Sequence, residues 1–196
     1  MSERLREVAL ASTSPRRKQL LESLGLDVCV VESGYDERVR DRGGSAAETA
    51  LAHALGKARM AASVGPPVLV AADTIVLLDG SMLGKPRDER DAKEMLRRLS
   101  GQEHHVFTGF VVADRSTGLT RNGVEATLVR FRTLEAAEID AYVATGDPMD
   151  KAGAYGIQGR GGLLVASIDG DFYTVMGLPL ARVGASLREL GHPVLA

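Results

Sequence analysis

Tryptophan is absent from this chain of 196 residues, and phenylalanine and tyrosine number four each. A core without aromatic bulk has to be filled by aliphatic side chains and alanine. Cysteine is nearly missing too. The single Cys29 excludes an internal disulfide and any cysteine-based zinc site. It sits in the apolar run VCVV and is expected to be a small core residue. No apolar run approaches the ~20 residues that span a bilayer. The start, MSERLRE, is charged with no apolar stretch behind it, so a cytoplasmic protein without a membrane partner is expected. Neither sign of charge dominates. The 24 basic and 26 acidic residues leave a net charge of −2, which argues against a nucleic-acid partner but not against a small anionic ligand. Internal repeats and low-complexity linkers are lacking, and one domain over residues 1–196 fits the length.

What is present is an alternation of strand and helix patterns. Val8 to Ala11 reads as a strand, followed by a helix from Pro15 with Ser14 as N-cap and Leu20, Leu21 and Leu24 at helical spacing. Leu26 to Val31 reads as a second strand. Ser45 and Glu48 form a capping box that opens a helix to about Ser63. Val68 to Leu78 is apolar enough for a buried strand or hairpin arm, ended by an Asp79-Gly80 turn. A helix over Asp88 to Leu99, a strand pair over Val106 to Ala113 and Gly123 to Phe131, and a helix over Leu134 to Thr145 follow. After a glycine-rich loop, Leu163 to Ile168 reads as a strand and Pro179 to Leu190 as a closing helix. The fold class is α/β with a mixed sheet.

Several positions carry chemistry. At the first strand-to-helix junction, helix N–H groups, three hydroxyls and Arg16 and Arg17 make a phosphate site in outline. Asp73 interrupts the apolar run AADTIVLL, and a carboxylate desolvated there has to be paired or bound to a cation. It reads as a metal ligand or a general base. Lys57, alone, reads as a residue on a solvated helix face. Lys85 lies between Gly84 and Pro86, which restrict its loop, but this GK is no P-loop, because neither the glycine run nor the following Ser or Thr is there. Asp36 and Glu37, if folded beside Asp73, would supply oxygen ligands for Mg²⁺ or Mn²⁺. The adjacent His104 and His105 point apart on a strand and lack zinc spacing. Five glycines between Gly153 and Gly162 suggest close backbone approach to a ligand, and Gln158 among them offers both donor and acceptor to the imide edge of uracil or thymine.

Together, LASTSPRR, Asp36-Glu37, Lys57-Ala58, AADTIV, GKP, SGQEHHVFTG, DKAGAYGIQG and VMGLPL occur in an order that resembles the Maf family of nucleoside triphosphate pyrophosphatases nearly end to end. The resemblance implies an elongated mixed sheet flanked by helices, with two lobes around a cleft, like the inosine-triphosphate pyrophosphatases (Maf/Ham1-type), and a homodimer. It implies hydrolysis between the α and β phosphates and a divalent metal. By matching motif, Asp73 resembles the residue that activates water, and Glu37 a second, metal-associated acid. Ser12, Arg17, Lys57 and Lys85 resemble the phosphate-contacting set. Arg16, Thr74 and Gln158 stand where substrate branches differ, and here look like the branch acting on dTTP and UTP. A tie to septum formation and to removal of modified nucleotides is also implied. The competing readings are a purine- or inosine-type triphosphate pyrophosphatase and a nucleotide-binding regulator of cell division.

Overall fold

The computed structural model describes residues 6–36 and 44–195. Seven strands form one mixed sheet: β1 (Glu7–Leu10), β2 (Asp27–Val30), β3 (Val68–Leu78), β4 (Ser81–Leu83), β5 (Glu103–Asp114), β6 (Leu119–Phe131) and β7 (Val165–Asp169). The strand order is β2-β1-β3-β5-β6-β7, with β4 paired to β3. β1 runs parallel to both β2 and β3, whereas β3–β4 and β6–β7 are antiparallel. The helices are α1 (Pro15–Glu22), α2 (Ala46–Met60), α3 (Glu89–Leu99), α4 (Ala136–Val143), α5 (Phe172–Met176) and α6 (Leu180–Glu189).

The chain forms two compact units. The first comprises the chain up to Asp73, Thr108–Glu125 and everything from Gly177 onward. Its core is alanine-rich, as the missing aromatics require: Ala54 and Ala58 of α2 and Ala61 at its C-cap pack with Ala9, Ala11, Leu69, Ala71 and Val111. Small side chains let the helix lie close to the sheet. At Gly109 of β5 a side chain would sit 2.5 Å from the backbone of Ala50, so contact there is backbone to backbone. The link between α2 and β3 is fastened by the Arg115 guanidinium, which donates to the carbonyls of Ala61, Val64 and Gly65.

The second unit comprises Thr74–Phe107 and Ala126–Met176. Its core carries Leu96 and Leu99 of α3, Ile139 and Tyr142 of α4, and Phe131, Val76 and Tyr155. Phe131, Tyr155 and His104 meet edge to face, with ring centroids 4.7–5.3 Å apart. His104 and His105 do point apart, the first buried and the second exposed. Nε2 of His104 lies 2.7 Å from the Tyr155 hydroxyl, while Nδ1 is buried with no partner among the described residues. Burial, reinforced by the neighbouring His105, pushes the His104 imidazole down to about 4, and burial pushes the Tyr155 phenol up.

The element boundaries mostly follow the sequence pattern, but that pattern marks β4 only as chain beyond the Asp79-Gly80 turn, and other elements differ as well. β5 and β6 are longer than their apolar stretches, because the polar ends Glu103–His105 and Leu119–Asn122 continue the ladder. The five-residue α5 is too short to show a helical period. It is preceded by Asp171, whose carboxylate accepts from the Thr174 amide (2.6 Å) and hydroxyl (2.8 Å). Cys29 is exposed rather than part of the core. β2 ends the strand order, so an apolar composition there does not mean burial, and of Leu26 to Val31 the flanking Leu26 and Val31 are the buried ones.

Two expectations follow. Gly109→Ala should destabilise the protein by about 1–3 kcal/mol in urea unfolding, since Ala50 cannot retreat, while Gly184→Ala, where an added methyl meets nothing within 4 Å, should stabilise α6 by about 0.5–1 kcal/mol. His104 is kept neutral when folded, so its contribution is complete above pH 6.5 and is lost as the pH falls toward 4. Acid unfolding curves should show about 3 kcal/mol of lost stability over that window, and His104→Gln should flatten it.

Candidate functional site

β1 runs into α1 through Ala11–Ser14. Ser14 occupies the N-cap position, as its sequence suggests, but its side chain caps nothing. Pro15 at the next position has removed one N–H that would need a partner. Instead the Ser12 hydroxyl accepts from the Ser14 amide at 3.3 Å and from Nη1 of Arg17 at 2.9 Å. Arg17 is buried, not solvated, and its Nε donates to the Gly177 carbonyl at 2.7 Å. Arg16 is half-buried in the same turn. The helix N-terminus therefore presents a fixed guanidinium and a hydroxyl beside its amide groups, an arrangement suited to a phosphate.

β3 brings the second element. The Ala11 amide donates to the Val70 carbonyl at 2.8 Å, so continuing the parallel register sets Ser12 level with Ala72, next to Asp73. Asp73 is buried within β3. Its Oδ1 accepts from Nζ of Lys57, itself buried on α2, at 2.5 Å. Asp73 thus meets the requirement that a buried carboxylate be paired, and Lys57 is not on a solvated helix face. The pairing depends on helix position. α2 starts at the expected capping box, where Ser45 Oγ accepts from the Glu48 amide and Glu48 accepts from the Ser45 amide. Gly56, immediately before Lys57, leaves room for the Tyr35 ring: a side chain there would come within 2.2 Å of it. The Tyr35 hydroxyl is 3.3 Å from Nδ1 of His53, one turn before Lys57. Sequence reading missed this Tyr35–His53 support, and the signal was the glycine inside a capped helix.

Ser12, Arg16, Arg17, Lys57 and Asp73 all belong to the first unit. Thr74, Lys85 and Gln158 belong to the second. Thr74 is half-buried, and the alternation of a strand sends it to the face opposite Asp73. Lys85 follows β4 and is exposed. The glycine-rich loop is structured: 3-10 turns cover Ala152–Ala154 and Gly159–Leu164, and the exposed Gln158 stands at the N-cap position of the second in an extended conformation. A hydrogen bond of 3.0 Å from the Gly153 amide to the Gly84 carbonyl ties this loop to the turn that carries Lys85. Glu37 lies outside the described residues, and Asp36 at their edge is exposed.

Among the described residues no three His, Cys, Asp or Glu side chains converge as a metal cage. No helix among them is long and apolar enough to cross a membrane. A hard divalent ion of the Mg²⁺ type is commonly held by one or two carboxylates together with substrate phosphates rather than by a protein cage. The carboxylate oxygens of Asp73, close to a phosphate-suited helix terminus, fit that donor set.

A family model described as Maf-like protein matches residues 7–190. The chain is 48% identical over 189 residues to a dTTP/UTP pyrophosphatase from Anaeromyxobacter dehalogenans, covering 95% of each chain. It is 41% identical over 191 residues to one from Dictyoglomus thermophilum, covering 97% of this chain and 99% of that one. A solved HAM1 protein from Coxiella burnetii superposes with a TM-score of 0.43 at 16% identity, covering 76% of this chain and 86% of that one.

Removing one member of a buried ion pair leaves the other uncompensated. Lys57→Met should cost about 3–5 kcal/mol of stability, and Lys57→Met combined with Asp73→Leu should recover most of it. Urea unfolding of both variants checks this.

Proposed function

This chain belongs to the Maf-like protein family, and on that premise we propose that it hydrolyses dTTP and UTP to the nucleoside monophosphate and pyrophosphate. The observation that carries the reading is the buried Lys57–Asp73 pair, one residue along the register from the Ser12–Arg17 helix terminus. Identities of 41–48% over nearly the whole length to enzymes bearing that name support it.

The chain's own residues account for the steps. The triphosphate carries several negative charges, which Arg17, Lys57, Arg16, Lys85 and the α1 amides offset. Ser12 orients Arg17 and adds a hydroxyl donor. Lys57 occupies Oδ1 of Asp73, so Oδ2 accepts the proton of the attacking water. The water oxygen bonds to the α-phosphorus, the bridging bond to the β-phosphate breaks, and its electron pair leaves with pyrophosphate. Glu37, joined by Asp73 as the alternative to its role as base, would hold a divalent cation, which supplies charge neutralisation at the phosphoryl oxygens when bound. Gln158 reads the imide edge of the base, with Arg16 and Thr74 contributing to selection. The cytosol, a homodimeric state and a link to septum formation complete the reading.

Pyrophosphate release from a nucleotide panel, with Mg²⁺ or Mn²⁺ and with chelator, tests it. Release from UTP and dTTP that stops with chelator is expected. Equal or greater release from purine triphosphates would overturn the base assignment, and no release from any nucleotide would overturn the reaction.

A further inference from the structure

The second unit holds a partly buried polar network that the reaction does not use. Lys151 is buried, yet its Nζ donates to Oδ1 of Asp147 at 3.0 Å and Oδ1 of Asp150 at 2.6 Å. The hydroxyl of the buried Tyr142 donates to Oδ2 of Asp147 at 2.6 Å and accepts from the Gly156 amide at 3.2 Å. Asp147 thus joins an ammonium to a phenol, and the phenol grips the backbone two residues before Gln158.

Three glycines around this network sit where an added side chain would collide with its neighbours. A methyl at Gly161 would sit 2.0 Å from the Gly156 carbonyl and 2.8 Å from the Tyr142 hydroxyl. At Gly156 it would meet the Lys151 stem at 2.8 Å, and at Gly162 the Ile157 carbonyl at 2.8 Å. The loop therefore folds onto itself, with Tyr142 and Lys151 as its filling. Ala154 is held left-handed at φ 58, directly after Gly153 at φ 69, a conformation an alanine adopts only when its surroundings impose it. Gly153 is also bonded to Gly84, beside Lys85. Against this fixed backbone, the Gln158 side chain is exposed.

We propose that Tyr142, Asp147 and Lys151 are positioning residues for nucleobase selection: they fix the Gly153–Gly162 loop so that the Gln158 amide meets the base in one orientation. The proposal rests on the reading of Gln158 as the base-contacting residue. An amide on a mobile loop can turn to suit either a donor–acceptor edge or its reverse. An amide on a fixed loop discriminates, because the wrong edge leaves its groups unpaired.

The test is the ratio of kcat/KM for UTP to that for CTP, measured for Tyr142→Phe, Gln158→Ala and the double variant. Tyr142→Phe keeps the ring in the core and removes only the hydroxyl. The expected result is a ratio lowered about three- to tenfold in Tyr142→Phe through CTP gain and UTP KM, with kcat for UTP within about twofold of the parent. The double variant should be no less selective than Gln158→Ala alone, since both act at one point. An unchanged ratio in a folded Tyr142→Phe, with Gln158→Ala lowering it, overturns the positioning role and leaves the base reading intact. An unchanged ratio in Gln158→Ala overturns both, while UTP hydrolysis itself is still judged by pyrophosphate release. If Tyr142→Phe does not fold, Asp147→Ala, at a partly exposed side chain, is read in its place with the same outcomes.

Discussion

The buried ion pair between Lys57 and Asp73 is the constraint on which the first unit is arranged. Taking two charges out of water costs several kcal/mol each in order of magnitude. The cost is offset only if the ammonium reaches the carboxylate, as it does at 2.5 Å. That distance requires α2 to lie close to the sheet. Alanines on the helix and strands, Gly109 at the closest approach and Gly56 under the Tyr35 ring all serve that one spacing. A core with tryptophan or more phenylalanine would hold the helix further out. The composition that looked like a shortage of aromatics is the composition this packing needs.

The same economy of small residues has a different use in the second unit. There glycines accept close backbone contact and a left-handed turn, and the space they leave is filled by a tyrosine and a lysine with hydrogen-bonded heads. The result is a polar loop with a defined shape. Composition alone suggested either a ligand-hugging loop or a flexible one, because glycine permits both. The Tyr142–Asp147–Lys151 network gives the loop its defined backbone, and its members are separated from Gln158 by up to sixteen positions in sequence.

Much of the architecture was legible. Periodicity located β3, α2 and α3 within a few residues, because long apolar patterns and caps are local signals. The capping box at Ser45 and Glu48 formed as read. Positions that depend on what lies alongside were not legible. Cys29 has core-like neighbours in sequence but occupies an edge strand. Ser14 has the right side chain for a cap, yet Ser12 takes the hydrogen bonds because Arg17 lies next to it. For the site, sequence required a partner for Asp73 but did not identify Lys57 as that partner. They are sixteen positions apart, across a helix end, a turn and a strand, and only the register of α2 on the sheet makes them meet.

The most direct test of the central claim is the turnover of Asp73→Asn with UTP, with nucleotide affinity measured calorimetrically on the same folded preparation. Asparagine preserves the shape and an oxygen for Lys57 but cannot take a proton from water. A fall in kcat of at least about a hundredfold with UTP still bound is the predicted result. Turnover like that of the parent protein would contradict the assignment of Asp73 as the group that activates water.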